Sequence, residues 1–356
     1  MSPARCAPRI WPSRTPAVPA RRNDPAAAGP PLGEFGRIER FFKPLAAGFP
    51  GARGLADDAA VFGVPAGKEL VVTTDAMVAG VHFLPDDHPA DIAAKLLRTN
   101  LSDLAAMAAE PLAYTLVTAL PRGLGEEWLA AFAAGLAADQ ERFGIALAGG
   151  DSVGTSGPIT LSVTAFGLVP AGRAVPRWGG RAGDCLFVTG TIGDATLGLD
   201  IALGRRVVED VAVRESLLAR LRRPDPRTTL GPRLAGLATA MLDVSDGLVA
   251  DLGHLCAESG LSAVVEAAKV PLSPAARALA GGDSAVLARL LTGGDDYELL
   301  FSAPAGARPA LQDLALRTGV PVTGIGRLEA GEAGAVTVLD AGGAPLALPR
   351  RGWEHF

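Results

Sequence analysis

Cysteine is scarce in this chain of 356 residues: Cys6, Cys185 and Cys256 are odd in number, widely spaced, and form no C-x-x-C pair. That excludes a disulfide framework and a thiolate zinc site, and it fits a reducing compartment, the cytoplasm. An excess of positive charge is missing too. The net charge of −5 argues against nucleic acid as a partner, which would call for a basic face. No apolar run reaches the roughly 20 residues that a bilayer span needs, so no membrane partner is expected, and the alanine-rich stretch 130–138 reads as a packed helix. H-E-x-x-H and G-x-S-x-G are absent, which leaves metalloprotease and nucleophile-triad readings without support. Residues 63–69, GVPAGKE, have the wrong spacing for a Walker A loop and lack its Ser/Thr, and no kinase Gly-rich loop occurs. If phosphate is handled here, metal and backbone must meet its charge in place of a P-loop lysine.

Core material is plentiful. A 49% hydrophobic content over this length suffices for two domains. Residues 1–31 stand apart: eight of the 28 prolines and five arginines face a single acid, Asp24, so this extension reads as disordered. Transit peptide, dispensable tail and early start codon are its three readings. Residues 33–44 place Phe35, Ile38, Phe41 and Phe42 at helical spacing, a short amphipathic helix. The apolar run Leu70 to Val72 reads as a strand covered on both faces. Residues 89–109 form a helix with the stripe Ile92, Leu96, Leu97, Leu101, Leu104, stopped by Pro111. A second helix runs over 128–143 to Gly144, and strands follow at 145–148 and 158–169. That order suggests an α/β (α+β) layer with helices on one face. The glycine- and arginine-rich segment 172–183 marks the boundary between a domain over 32–170 and one over 171–356.

Six segments, around residues 57, 75, 103, 151, 245 and 296, set Asp where a regular element meets a turn. One such Asp is a cap; six, most beside Gly, Ser or Thr, look like a distributed site for a hard cation such as Mg²⁺, which takes a few carboxylates plus water and phosphate oxygens. Asp57 and Asp58 are adjacent before the apolar run 59–62, expected as a strand, and like charges so close favour a shared cation. Thr73, Thr74 and Asp75 end the opening strand with hard oxygens, or merely cap its turn. Asp103 and Asn100 share a face of an alanine-leucine helix, so Asp103 either lies at the helix edge or has a partner. Met241 to Gly247 repeats the acid–hydroxyl chemistry with Asp243, Ser245 and Asp246. Gly190 to Asp194, between a strand and a helix, could cradle phosphate or simply turn. Phosphoryl transfer demands alignment and charge neutralisation, which an Asp–Mg²⁺ cluster can supply without a protein nucleophile.

The segments GEFGRIERF, ADDAAVF, TTDAMVAGVHF, NLSDLAAMAAEP, GGDSV, GRAVPRWGG, DVSDGLVADLGH, GGDDYELLF and GWEHF run in order from Gly33 to Phe356. Together they resemble the thiamine-monophosphate kinase family, within the superfamily of aminoimidazole ribonucleotide synthetase. The resemblance implies ATP-dependent phosphorylation of thiamine monophosphate to thiamine diphosphate by direct in-line transfer, with several Mg²⁺ ions and ATP as co-substrate. Asp58, Thr73, Thr74, Asp75, Asp103, Asp151 and Asp243 would hold metal, with Asp246 a further ligand; Asp75, Asp103 and Asp151 would be the catalytic carboxylates. Gly150, Asp151, Arg177 and Ser245 would meet the nucleotide; His82, Asp295 and Trp353 would meet thiamine monophosphate. In the family this sequence resembles, glutamate, one methylene longer, is common at the position of Asp295. The fold implied is a two-domain aminoimidazole ribonucleotide synthetase-like one, its N-terminal sheet pairing with a second copy in a homodimer. On the residues alone, His82 could be a satisfied histidine near a strand end, Trp353 a C-terminal anchor and Arg177 a solvated side chain. Rivals are a synthetase-type ligase or cyclase of the same superfamily and a catalytically silent nucleotide-binding module.

Overall fold

Phe41 and Phe42 are buried and anchor the start of the chain, but the segment around them is not one regular helix. α1 (Glu34–Arg37) passes into a π-helical turn (Ile38–Phe42) and two 3₁₀ turns (Lys43–Ala46, Pro50–Leu55). Pro44 has no N–H to continue an α-helical ladder, which breaks the helix expected over 33–44. The computed structural model describes residues 32–348 and Gly352; the extension 1–31 and Trp353 lie outside the described residues.

β1 (Lys68–Val78) leads to α2 (Pro89–Ala106), then β2 (Glu110–Pro121), α3 (Glu126–Phe143), β3 (Ala146–Thr155) and β4 (Thr160–Pro170). The four strands form one sheet in the order β1-β4-β2-β3, with β2 and β3 parallel across the α3 connection and the other pairs antiparallel. α2 and α3 cover one face: Leu96, Leu97, Leu101, Phe132 and Leu136 pack with Tyr114, Leu161 and Val163 in a single core. The opposite face is open, with Val72 53% and Leu70 38% exposed, joined by exposed Val117 and Val153. This corrects the expectation of a doubly covered strand. β1 is an edge strand, and its unbroken apolar run serves a buried face and an uncovered one. Residues 59–62 are no strand either; Val61 N–H bonds the Gly51 carbonyl at 2.8 Å and leaves no partner strand.

The second sheet has the order β10-β7-β9-β5-β8-β6. In chain order its parts are β5 (Cys185–Thr189), α4 (Asp194–Ala202), α5 (Val211–Arg222), β6 (Ala240–Asp243), α6 (Leu248–Ser259), β7 (Ser262–Glu266), α7 (Pro274–Ala280), α8 (Ser284–Leu291), β8 (Leu299–Ala303), α9 (Arg308–Thr318), β9 (Val322–Glu329) and β10 (Val336–Leu339). Mixed α/β layers around two sheets are the fold class expected. α2 joins them, because Ala105 and Ala106 at its end pack with Leu230, Leu234, Met241 and Phe301 of the second layer.

Candidate active site

α2 is apolar on most of its surface, yet Lys95, Thr99, Ser102 and Asp103 recur at spacings of three and four and so share one face. That face looks across at β1 and at the ends of β6 and β8. Asp103 Oδ2 accepts from the Thr73 hydroxyl of β1 at 2.6 Å. The Ser102 hydroxyl donates to Asp243 Oδ2, at the end of β6, at 2.7 Å. Lys95 Nζ donates to the His82 carbonyl at 3.0 Å and to Asp295 Oδ2 at 3.3 Å. The Thr99 hydroxyl donates to the Leu96 carbonyl at 3.1 Å and lies close enough to Asp75 to stabilise its carboxylate. Between these elements lies a cavity of about 270 Å³, lined among others by Asp75, His82, Asp103, Asp243, Ser245, Asp246 and Asp295. Asp103 therefore has partners, as one of its two sequence readings required.

Burial raises the carboxyl of Asp103 to about 8, assisted by the charges of Asp243 and Asp75. Burial likewise raises Asp243 to about 7, with Asp251 and Asp75 adding repulsion. Asp75 is raised by burial, and the Thr99 hydroxyl offsets part of that. Crowded, desolvated carboxylates of this kind suit a hard cation that restores their charge. Among the described residues no three His, Cys, Asp or Glu side chains gather as a ready-made metal cage. The donor set thus fits Mg²⁺, which binds through one or two carboxylates plus water and phosphate oxygens, and does not fit an ion needing a full protein shell.

Two loops shape the far wall. Asp295 N–H bonds the Ser245 carbonyl and Tyr297 N–H the Val244 carbonyl, each at 2.8 Å. Asp295 (φ 71°) and Tyr297 (φ 51°) both hold left-handed backbone, a strained state for non-glycine residues that surrounding contacts must enforce. The Tyr297 hydroxyl then reaches Asp295 Oδ1 at 3.3 Å. Asp251 Oδ2 accepts the N–H groups of Asp246 and Gly247 at 3.0 Å, tying down the turn into α6. His82 Nδ1 accepts the Val78 N–H at 3.0 Å, which leaves Nε2 as its protonated nitrogen. His82 is thus satisfied on one side and lines the cavity on the other.

Not every expected residue is here. Asp58, Gly150 and Asp151 line a separate cavity of about 150 Å³ with Ile38, Phe42, Leu116 and Leu147. The strand registers put Asp75, Val163, Leu116 and Gly150 in one row across the sheet. Three strand spacings make that row about 14 Å long, too far for one ion to bridge. Gly150 also answers a packing need, since a Cβ there would lie 1.9 Å from the Leu116 carbonyl oxygen. Thr74 points to the open face, where its hydroxyl donates to the Val163 carbonyl at 3.1 Å; any contact it makes with the cavity falls to its backbone. Arg177 is exposed in the connector, and its charge still reaches Asp103. The glycine turn at 190–194 is no phosphate cradle. Glu298 fills the space beside Gly190, where a Cβ would meet Glu298 Oε1 at 2.0 Å, and both oxygens of Asp296 take the Gly193 N–H. Arg220 and Arg227 pair with the fully buried Glu298, so those acids of the 293–298 segment build the fold.

Residues 56–169 match the family model "AIR synthase related protein, N-terminal domain", and residues 181–339 match the corresponding C-terminal domain. The thiamine-monophosphate kinase of Caulobacter vibrioides is 44% identical over 332 residues, covering 92% of this chain and 92% of that protein. The chain belongs to the thiamine-monophosphate kinase family. The crystal structure of a thiamine-monophosphate kinase from Stenotrophomonas maltophilia is 44% identical, with a TM-score of 0.74 over 82% of this chain and 91% of that one. A second structure, AaThiL complexed with AMPPCP and TMP, is 31% identical, with a TM-score of 0.72 over 91% of this chain and 97% of that one. Within this thiamine-monophosphate kinase fold, sequence reasoning missed Lys95, Thr99 and Tyr297. The available signal was the polar spacing 95, 99, 103 along an apolar helix.

Proposed function

We propose that the chain transfers the γ-phosphoryl group of ATP directly to the phosphate of thiamine monophosphate, giving thiamine diphosphate and ADP. The observation that carries this reading is the convergence of the Asp75, Asp103 and Asp243 carboxyls on one buried cavity in a chain of this family. A phosphate monoester has its second pKa near 6, so at neutral pH the acceptor is largely a dianion whose oxygen can attack without a general base. The protein's task is therefore to align two anions and neutralise them. Asp75, Asp103 and Asp243 with the Thr73 hydroxyl, and Asp58 and Asp151 from the second cavity, would hold Mg²⁺, with Asp246 and the backbone of Thr74 as further ligands. Bound Mg²⁺ would supply the positive charge that lets donor and acceptor phosphates approach. Gly150, Arg177 and Ser245 would meet ATP; His82, Asp295 and Trp353 would meet thiamine monophosphate, whose flat cationic ring an aromatic can stack upon.

The working unit we propose is a homodimer, each chain built of units over 32–170 and 171–356. The open sheet face with Leu70, Val72, Val117 and Val153 supports this, as do the uncovered edges β1 and β3. A second copy closing the sheet would lay β3 beside the partner's β1, and the two half-sites would become one. Among the described residues no helix is long and apolar enough to cross a membrane, and Cys185 and Cys256 are unpaired; we place the protein in the cytoplasm. The test mixes protein, MgCl₂, ATP and thiamine monophosphate. Stoichiometric thiamine diphosphate and ADP are expected, and ADP without thiamine diphosphate would overturn the assignment.

A further inference from the structure

Five carboxylates, from Asp75, Asp103, Asp243, Asp246 and Asp295, line the main cavity, and Lys95 is the one lysine or arginine among its described lining residues. Its side chain is only 6% exposed. The ammonium has three protons; the His82 carbonyl takes one and Asp295 a second, which leaves a third for whatever fills the cavity. A buried ion pair is weak evidence of a stabilising role, because desolvation cancels much of its attraction. Here one partner, Asp295, also sits on left-handed backbone, the kind of strain retained where function demands it.

In the transfer read above, an oxygen of the acceptor phosphate forms a bond to the γ-phosphorus. The bond from that phosphorus to the β–γ bridging oxygen breaks, and ADP leaves with the electron pair; the dianionic acceptor has no proton to give up. The charge on the acceptor must still be met by a cation that does not compete with ATP for metal. We infer that Lys95 is a catalytic residue that grips the acceptor's phosphate, exchanging Asp295 for it, and so selects a phosphorylated acceptor over the free alcohol. This rests on the reading that the cavity transfers phosphoryl groups to a phosphate.

The experiment compares Lys95→Met and Lys95→Arg with the parent protein. It measures turnover and, by calorimetry with Mg²⁺ and no ATP, the binding of thiamine monophosphate and of thiamine, which lacks the phosphate. Lys95→Met is expected to lower kcat/KM for thiamine monophosphate and its affinity about a hundredfold, to leave thiamine binding unchanged, and to be partly rescued by arginine. If Lys95→Met does not fold, Lys95→Gln, which removes the charge and keeps an N–H donor for the His82 carbonyl, carries the same comparison. Equal losses for both ligands, or no loss, would assign Lys95 a structural role and overturn the inference. A parent protein that turns over no thiamine monophosphate would instead remove the underlying reading, and the inference with it.

Discussion

Burial and two neighbouring carboxylates lift the Asp103 carboxyl to about 8, and Asp243 reaches about 7, so without a cation both hold protons near neutral pH. In the unfolded chain each titrates near 3.8. Between those limits the folded state keeps protons that the unfolded state has released, and raising the pH favours unfolding. The stability from the protonated pair is fully present below about pH 4 and is lost as pH rises toward 8. Melting temperatures in EDTA should therefore fall from pH 5 to pH 8.5, and Mg²⁺ with nucleotide should flatten that slope; a flat profile in EDTA would contradict the buried repulsion. The same physics separates catalysis from folding. Asp75→Asn or Asp103→Asn should cut turnover by at least about a thousandfold. For Asp103→Asn the melting temperature in EDTA should hold near neutral pH, where the parent's Asp103 is already protonated, and rise at pH 8.5, where a repelling charge has gone. Near-normal turnover in both variants would take these residues out of the site.

At the scale of elements, α2 is held from behind as firmly as it presents its polar face. Arg98 makes a two-pronged pair with Asp139 of α3, both contacts at 2.7 Å, and spends its remaining nitrogen on the carbonyls of Arg223 and Pro224 in the connector after α5. Removing one partner strands a buried charge, so Asp139→Leu should cost about 3–5 kcal/mol in denaturant titration. Replacing the pair together, Arg98→Met with Asp139→Leu, should recover much of that stability, and equal losses in both would argue against pairing as the cause. The helix itself was legible in the sequence: its leucine stripe, Asp91 in the first turn and Pro111 beyond its end place it within three residues. Lys95 was not. A lysine among alanines and leucines reads as solvated until Asp295, 200 residues later, folds against it. The same limit hid the fate of the glycine turn at 190–194, because local spacing cannot say that Glu298 and Asp296 will fill it. The unbroken apolar run likewise identified β1 as a strand but read as covered on both faces, because a run of apolar residues does not say whether another surface lies over each face.

For the whole molecule, the telling arrangement is that two of the segments read from the sequence, Thr73 to Asp75 and Gly150 to Asp151, lie on opposite edge strands of one sheet. Asp75 ends a row on β1 and Gly150 ends the same row on β3, with β4 and β2 between them. One chain cannot bring the β3 edge, with Gly150 and Asp151, to Asp75 on the β1 edge without tearing the sheet, whereas in the homodimer proposed above a twofold partner closing β3 against β1 would bring the two edges together twice, once at each seam. Complementation tests this directly. Asp75→Asn and Asp151→Asn dimers should each be inactive alone. In a dimer with one copy of each variant, one seam carries both changes and the other carries neither. After unfolding and refolding an equal mixture, half the dimers pair unlike chains and each has one sound seam of two, so about a quarter of the parent's specific activity should return. A mixture as inactive as its components, in dimers shown by mass to have exchanged chains, would mean that each chain builds its site alone and that the 14 Å row must be bridged by the nucleotide within a single chain.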